Sequence, residues 1–221
     1  MKLHWSSTSP FVRKVIIVLH EKGIHDRVIC VRTPVGMAKI PSPDLLADNP
    51  LGKIPTLVLD DGRTLFDSRV IAEHLDATNA GQKLFPLDTR ERERQLRLMA
   101  LADGLTDILT LWRNELIRPP AMQYSDLMSV FEVKTRACLK QLEGEASEIQ
   151  EAPFGIGHIA LVCSLSYLDL RFGDTKWRAA HPTLAAWYEG MRNRPSVRMT
   201  EAVEDSGSRV VPAVFSFQPQ L

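Results

Sequence analysis

The sequence predicts two domains of different class: an α/β domain at the N-terminus, followed by an all-α helical bundle. Three observations carry this. Up to about residue 80, short strand-like apolar runs alternate with helical stretches. Beyond it, apolar residues recur at helical spacing over long stretches, as in Leu98, Leu101, Leu105, Ile108 and Trp112. With 221 residues, the chain is long enough to give each part a core of its own.

Taken in order, Lys2–Trp5 reads as a strand. Pro10–Lys22 reads as a helix. Pro10 suits its first position, Val12, Val15, Ile16 and Leu19 form an apolar stripe, and Gly23 terminates it. Arg27–Arg32 is β-branched and predicts a second strand, and Thr33–Ile40 a loop. Ser42-Pro43-Asp44 caps a short helix that ends before Pro50. Thr56–Leu59 and Arg63–Phe66 flank the turn Asp60-Asp61-Gly62 as a hairpin. Asp67 or Ser68 then caps a helix running to about Ala77. The first β-α-β implies parallel strands joined by a crossover, and the closing β-β-α adds an antiparallel hairpin. That mixed sheet over residues 1–78 is the thioredoxin-like arrangement.

Residues 79–88 hold Asn, Gly and Pro and read as a linker. The helical domain, 89–203, is expected to comprise Thr89–Arg118 (stopped by Pro119-Pro120), Ser125–Gln150, a strongly apolar Gly157–Phe172, Pro182–Arg192 and a short segment after Pro195. Residues 204–221 show no pattern and are expected to form a tail.

Composition excludes several classes. Lys plus Arg equals Asp plus Glu, 27 each, so no basic field points to nucleic acid. No apolar run approaches the ~18 residues that cross a membrane, and the N-terminus lacks a signal-peptide pattern. Cys30, Cys138 and Cys163 are sparse and odd in number, which suits the cytoplasm and argues against a disulfide framework. With no CxxC and no Cys/His cluster, no metal site is expected.

Three windows carry chemistry. Ser6-Ser7-Thr8-Ser9-Pro10-Phe11 joins the first strand to the first helix, whose N-terminus favours an anion. A hydroxyl there can donate to a thiolate and lower the thiol pKa. The same residues equally serve as an ordinary N-cap. In Asn49-Pro50-Leu51-Gly52-Lys53-Ile54-Pro55-Thr56, a cis Ile54–Pro55 bond would leave the Ile54 backbone free to pair with an extended peptide; a trans proline at a strand start is the alternative. In Phe66-Asp67-Ser68-Arg69, Ser68 and backbone amides can hold a carboxylate, or simply cap the helix.

Thr8–Lys14, Asn49–Pro55 and Asp67–Leu75, in this order, resemble the glutathione transferase superfamily over about 200 residues. Ile156–Ala160 and Tyr167–Phe172 are similar to a bacterial subgroup. The resemblance implies a thiol-activating enzyme using glutathione as cosubstrate, without a metal, and a homodimer through the two long helices. Ser9 stands where omega-like members carry Cys, which implies a serine-type site, with Ser7 and Thr8 as rivals. Ile54, before the family's cis proline Pro55, would pair with the cysteinyl backbone. Asp67 and Ser68 would hold the γ-glutamyl end, and Lys53 would reach the glycyl carboxylate.

Phe11, Trp112, Arg113 and Tyr124 are candidates for a hydrophobic electrophile pocket, with core packing or a solvated face as the alternative. Gly155-Ile156-Gly157-His158 replaces the Ser/Thr-x-x-Asp capping box of many relatives, so weaker capping is expected there, with His158 structural. Two other readings remain: a glutathione-dependent reductase, isomerase or peroxidase, and a non-enzymatic glutathione- or ligand-binding protein.

Overall fold

The computed structural model describes residues 1–202. The expected tail at 204–221 lies outside the described residues.

Strand β1 (Lys2–Trp5) organises the N-terminal half. Leu3 and His4 point to opposite faces and are both buried, as in a strand covered on both sides. β1 pairs in parallel with β2 (Ile29–Arg32), bringing Leu3 opposite Cys30, and antiparallel with β3 (Thr56–Val58), bringing His4 opposite Thr56. β4 (Thr64–Leu65) closes the sheet in the order β2-β1-β3-β4. β2 is exposed along its length and starts later than expected, because His25–Arg27 winds into a 3₁₀ turn.

Helix α1 (Pro10–Glu21) makes the crossover, with Pro10 in the first turn and Ser9 as N-cap. Its buried residues include Val12, Val15, Val18 and also Arg13 and Lys14, two cations on a helix enclosed on most sides. Helix α2 (Pro43–Asp48) is capped by Ser42 and anchored by the fully buried Leu45. Helix α3 (Ser68–Thr78) is capped by Asp67, so of the two candidates the aspartate caps and Ser68 is the first helical residue.

The second half is built on α4 (Thr89–Leu116), α5 (Ser125–Glu151) and α6 (Ile156–Phe172). Every residue from Ile156 to Leu165 is buried, so α6 is the central helix its uniform apolarity predicts. Then come α7 (Trp177–Ala180), α8 (Pro182–Arg192) and α9 (Pro195–Arg198). α7 is not among the expected helices, because four residues are too few to show a period. It is held by Trp177, 1% exposed, whose indole N–H donates to Asp169 at 2.8 Å.

The start of α6 corrects the expectation of weak capping. Gln95 of α4 accepts from the Gly157 amide at 2.9 Å and donates to the Pro153 carbonyl at 3.1 Å. His158 supplies the reciprocal half: Nδ1 accepts from the Gly155 amide at 3.2 Å, while Nε2–H donates to the Ile149 carbonyl at 2.8 Å. The missing hydroxyl is thus replaced by a side chain from another helix. Glycine permits this approach, since a Cβ at Gly157 would lie 2.8 Å from the Gln95 carbonyl oxygen and 2.9 Å from Leu98 Cβ.

Burial holds the His158 pKa below its usual value, keeping the ring neutral in the fold. The unfolded chain therefore binds the proton first, so this contribution to stability is full above about pH 6.5 and is lost as the pH falls below it. His158→Gln keeps a donor and an acceptor without the titration. We expect a shallower fall in Tm between about pH 7 and pH 5 in the variant, read by thermal denaturation. His20 and His181, also lowered by burial, account for slope that remains.

Candidate functional site

The three windows meet at the first two turns of α1. Val12 packs with Ile54 and Leu45 in one apolar cluster, joined by Trp5 and Ile16. β1–β3 pairing sets Thr56, and with it Pro55, beside His4 and the Ser6–Ser9 turn that follows. Lys14, one turn on from Pro10, reaches Ser68 at the start of α3, with Nζ 3.2 Å from Oγ.

In the turn, Ser9 Oγ accepts from the Val12 amide at 3.3 Å, which leaves its own proton to be donated elsewhere. Ser6 and Thr8 hydroxyls lie 3.3 Å apart, and Ser7 is half-buried between them. Ser9 is therefore a cap, and its remaining O–H sits at the positive end of α1.

The Ile54–Pro55 peptide bond is cis. Asn49, whose role its sequence neighbours do not reveal, builds this loop. Buried at 1% exposure, it donates to the Lys53 carbonyl at 3.1 Å and to Thr56 Oγ1 at 2.9 Å, and accepts from the Leu51 amide at 3.0 Å. Lys53 is exposed and Ile54 buried. Asp67 is exposed, with Oδ1 accepting from the Arg69 amide at 2.9 Å, whereas Ser68 is 2% exposed.

Behind Ser68 lies a buried ionic group absent from the sequence reading. Asp103 of α4 accepts from Lys14 on Oδ1 at 2.5 Å and from Arg69 Nε on Oδ2 at 2.8 Å. Asp107, one turn further along α4, has its carboxyl raised by burial and by the charge of Asp103, against the pull of Arg69, Lys53 and Lys14. Two cations, Arg13 and Lys14, within an otherwise apolar helix stripe were the available signal, but the partners of Lys14 lie 54 and 89 residues away and the Val197 partner of Arg13 lies 184 away.

The four pocket candidates differ in burial. Phe11 is half-buried in the first turn of α1, with the Lys14 ammonium 5.6 Å from its ring. Trp112 is corrected to a core residue: it is 1% exposed and packs between Phe172 and Phe131, at ring distances of 5.3 and 6.5 Å. Its indole is too large and apolar to leave outside the bundle's centre. Arg113 is half-buried, and Tyr124 is 60% exposed at the head of α5. A polar cavity of about 510 Å³ lined by Arg13, Tyr188, Arg192 and Arg198, among others, contains none of the site residues.

Among the described residues no group of three or more His, Cys, Asp or Glu is placed to hold a metal, and no helix is long and apolar enough to cross a membrane. Burial pushes the Cys163 thiol up to about 11 and raises that of the half-buried Cys138, so neither is disposed to be a thiolate.

Residues 8–78 match the model of the glutathione S-transferase N-terminal domain, and residues 126–190 that of the C-terminal domain. The chain is 34% identical over 206 residues to the uncharacterized GST-like protein YibF of Escherichia coli K12, covering 91% of this chain and 98% of that one. It is 30% identical to glutathione S-transferase 3 of Zea mays, covering 91% and 93%. Among solved structures, a glutathione transferase family member from Pseudomonas fluorescens Pf-5 with bound glutathione superposes with a TM-score of 0.88 at 42% identity, covering 92% of this chain and 99% of that one. A glutathione S-transferase from Methylobacillus flagellatus with glutathione bound gives 0.83 at 36%, covering 91% and 99%.

Proposed function

Because the chain belongs to the glutathione S-transferase family, we propose that it activates the thiol of glutathione for attack on a small hydrophobic electrophile. The observation that carries this is the convergence, on the first two turns of α1, of a capping hydroxyl with a free proton, a cis-proline loop and the N-terminus of α3.

Glutathione would be held by segment 1–78 and the electrophile by the helical segment 89–203, with 79–88 linking them. Its cysteinyl backbone pairs with Ile54 ahead of Pro55. Its γ-glutamyl carboxylate meets Ser68 and the amides at the start of α3, with Asp67 beside it, and its glycyl carboxylate meets Lys53. Its sulfur lies at the mouth of α1, where the helix dipole and the Ser9 hydroxyl favour the thiolate. Ser7 and Thr8 flank that position. Phe11, with Arg113 and Tyr124, faces the electrophile. The serine at position 9 supports assignment to a serine-type bacterial subgroup and disfavours a covalent mixed disulfide.

A homodimer through α4 and α5 is supported by Leu127, Val130 and Val133, an exposed apolar stripe at helical spacing on α5. Three unpaired cysteines support the cytoplasm as its compartment.

The test is retention on immobilised glutathione followed by assay with an aryl halide. Retention with turnover is expected. Retention without turnover across a panel of electrophiles would indicate a binding protein, and neither retention nor a thermal shift with glutathione would remove the proposal. Asn49→Ala should weaken glutathione binding about tenfold by releasing the loop that carries Lys53 and Ile54, measured by calorimetric titration.

A further inference from the structure

We propose that Lys14 is a positioning residue for glutathione: its buried ammonium directs the Ser68 hydroxyl to donate to the γ-glutamyl carboxylate. The inference rests on the glutathione reading above and deepens it.

Lys14 is 1% exposed, deep between α1, α3 and α4. An ammonium has three N–H donors and no acceptor. The Ser68 oxygen, 3.2 Å from Nζ, must therefore accept from it, and the hydroxyl's single proton must go elsewhere. Ser68 opens α3, where unpaired amides attract an anion, so the matching acceptor is a carboxylate held there.

Asp103 faces the lysine as its counter-charge at 2.5 Å, and the same carboxylate takes Arg69, the residue after Ser68, at 2.8 Å. Asp103 thus fixes the first turn of α3 from the second domain, while Lys14 sets the direction of the hydroxyl within it. Asp107 is the other acid facing this group. Lys14 need not touch the ligand; its charge lies one hydrogen bond away, through Ser68.

A lysine that only ties α1 to α4 needs Asp103 alone. The contact to Ser68 has an effect only when the ligand carries a γ-glutamyl carboxylate, and this separates the two roles. Calorimetric titration of the full chain would compare glutathione with γ-aminobutyryl-cysteinyl-glycine, its analogue lacking that carboxylate. Wild type should prefer glutathione at least tenfold, the scale of one charged hydrogen bond. Lys14→Met should bring the two affinities within about threefold by weakening glutathione alone, and Ser68→Ala should do the same. The double variant should lose no more than either single one, since both act through one hydroxyl.

Equal weakening of both ligands in Lys14→Met, or preserved preference in either single variant, would overturn the proposal. If Lys14→Met fails to fold, Lys14→Met combined with Asp103→Asn removes the unbalanced buried charge and must show the same loss of preference. Wild type that binds both ligands equally sinks this inference alone, whereas wild type that binds neither sinks the glutathione reading beneath it.

Discussion

Ser9→Ala is expected to lower kcat/KM for glutathione conjugation about 100-fold, the scale of removing one preorganised donor from a developing anion. The Ser9 oxygen is already occupied in capping α1 through the Val12 amide, so its proton is the group with no duty inside the fold. Without it, the bound thiol loses a donor that favours its charged form, and its pKa rises toward the free value of about 8.5. The sign follows: less thiolate at neutral pH, and a rate profile displaced to higher pH. Stopped-flow measurement of thiolate absorbance against pH reads this directly. Loss of the cap itself costs about 1 kcal/mol, too little to unfold a protein of this size. Unchanged activity in Ser9→Ala together with lost activity in Ser7→Ala or Thr8→Ala would move the role to that neighbour.

Asp76→Ala should be the most damaging single substitution for stability outside the site. Asp76 is 2% exposed and holds three groups at once: the Lys22 ammonium at 3.0 Å and the Leu84 and Phe85 amides at 3.0 and 3.1 Å. Lys22 is buried as well, and its other partner is the Gln82 carbonyl at 3.0 Å. Removing the carboxylate leaves a buried cation without its counter-charge and two amides without acceptors. A loss of about 3–5 kcal/mol, or on the order of 10 °C in Tm, is expected. Because Asp76 pins the segment joining the two halves, thermal unfolding of the variant should also lose cooperativity between them, visible as separate calorimetric transitions. Asp76→Asn keeps one acceptor and should cost less. Equal losses in the two variants would mean that the charge facing Lys22, and not side-chain shape or the remaining acceptor, holds the linker.

Much of the architecture was readable in advance because it rests on local rules. Pro10 and Pro43 opening helices, Ser9, Ser42 and Asp67 capping them, Asp61-Gly62 turning a hairpin and the unbroken apolarity of α6 each act within a few residues. Such short-range preferences are legible in one dimension. The family motifs likewise lie in continuous windows, so membership of the family was legible as well.

What stayed hidden depends on partners distant along the chain. Lys14 and Arg13 look misplaced in an apolar stripe until Asp103 and the Val197 carbonyl are brought to them, the latter accepting from Arg13 at 3.0 Å. Gly155 looks like a poor cap until Gln95 arrives from α4, and Trp112 looks like a pocket wall until Phe131 and Phe172 enclose it. A buried charge, an orphaned amide or a large ring is tolerated only if something across the fold satisfies it, and its neighbours in sequence do not say what that is. Local preference decides which segments become helix and strand; three-dimensional packing decides which polar side chains are paired, and so which of them are left facing a ligand.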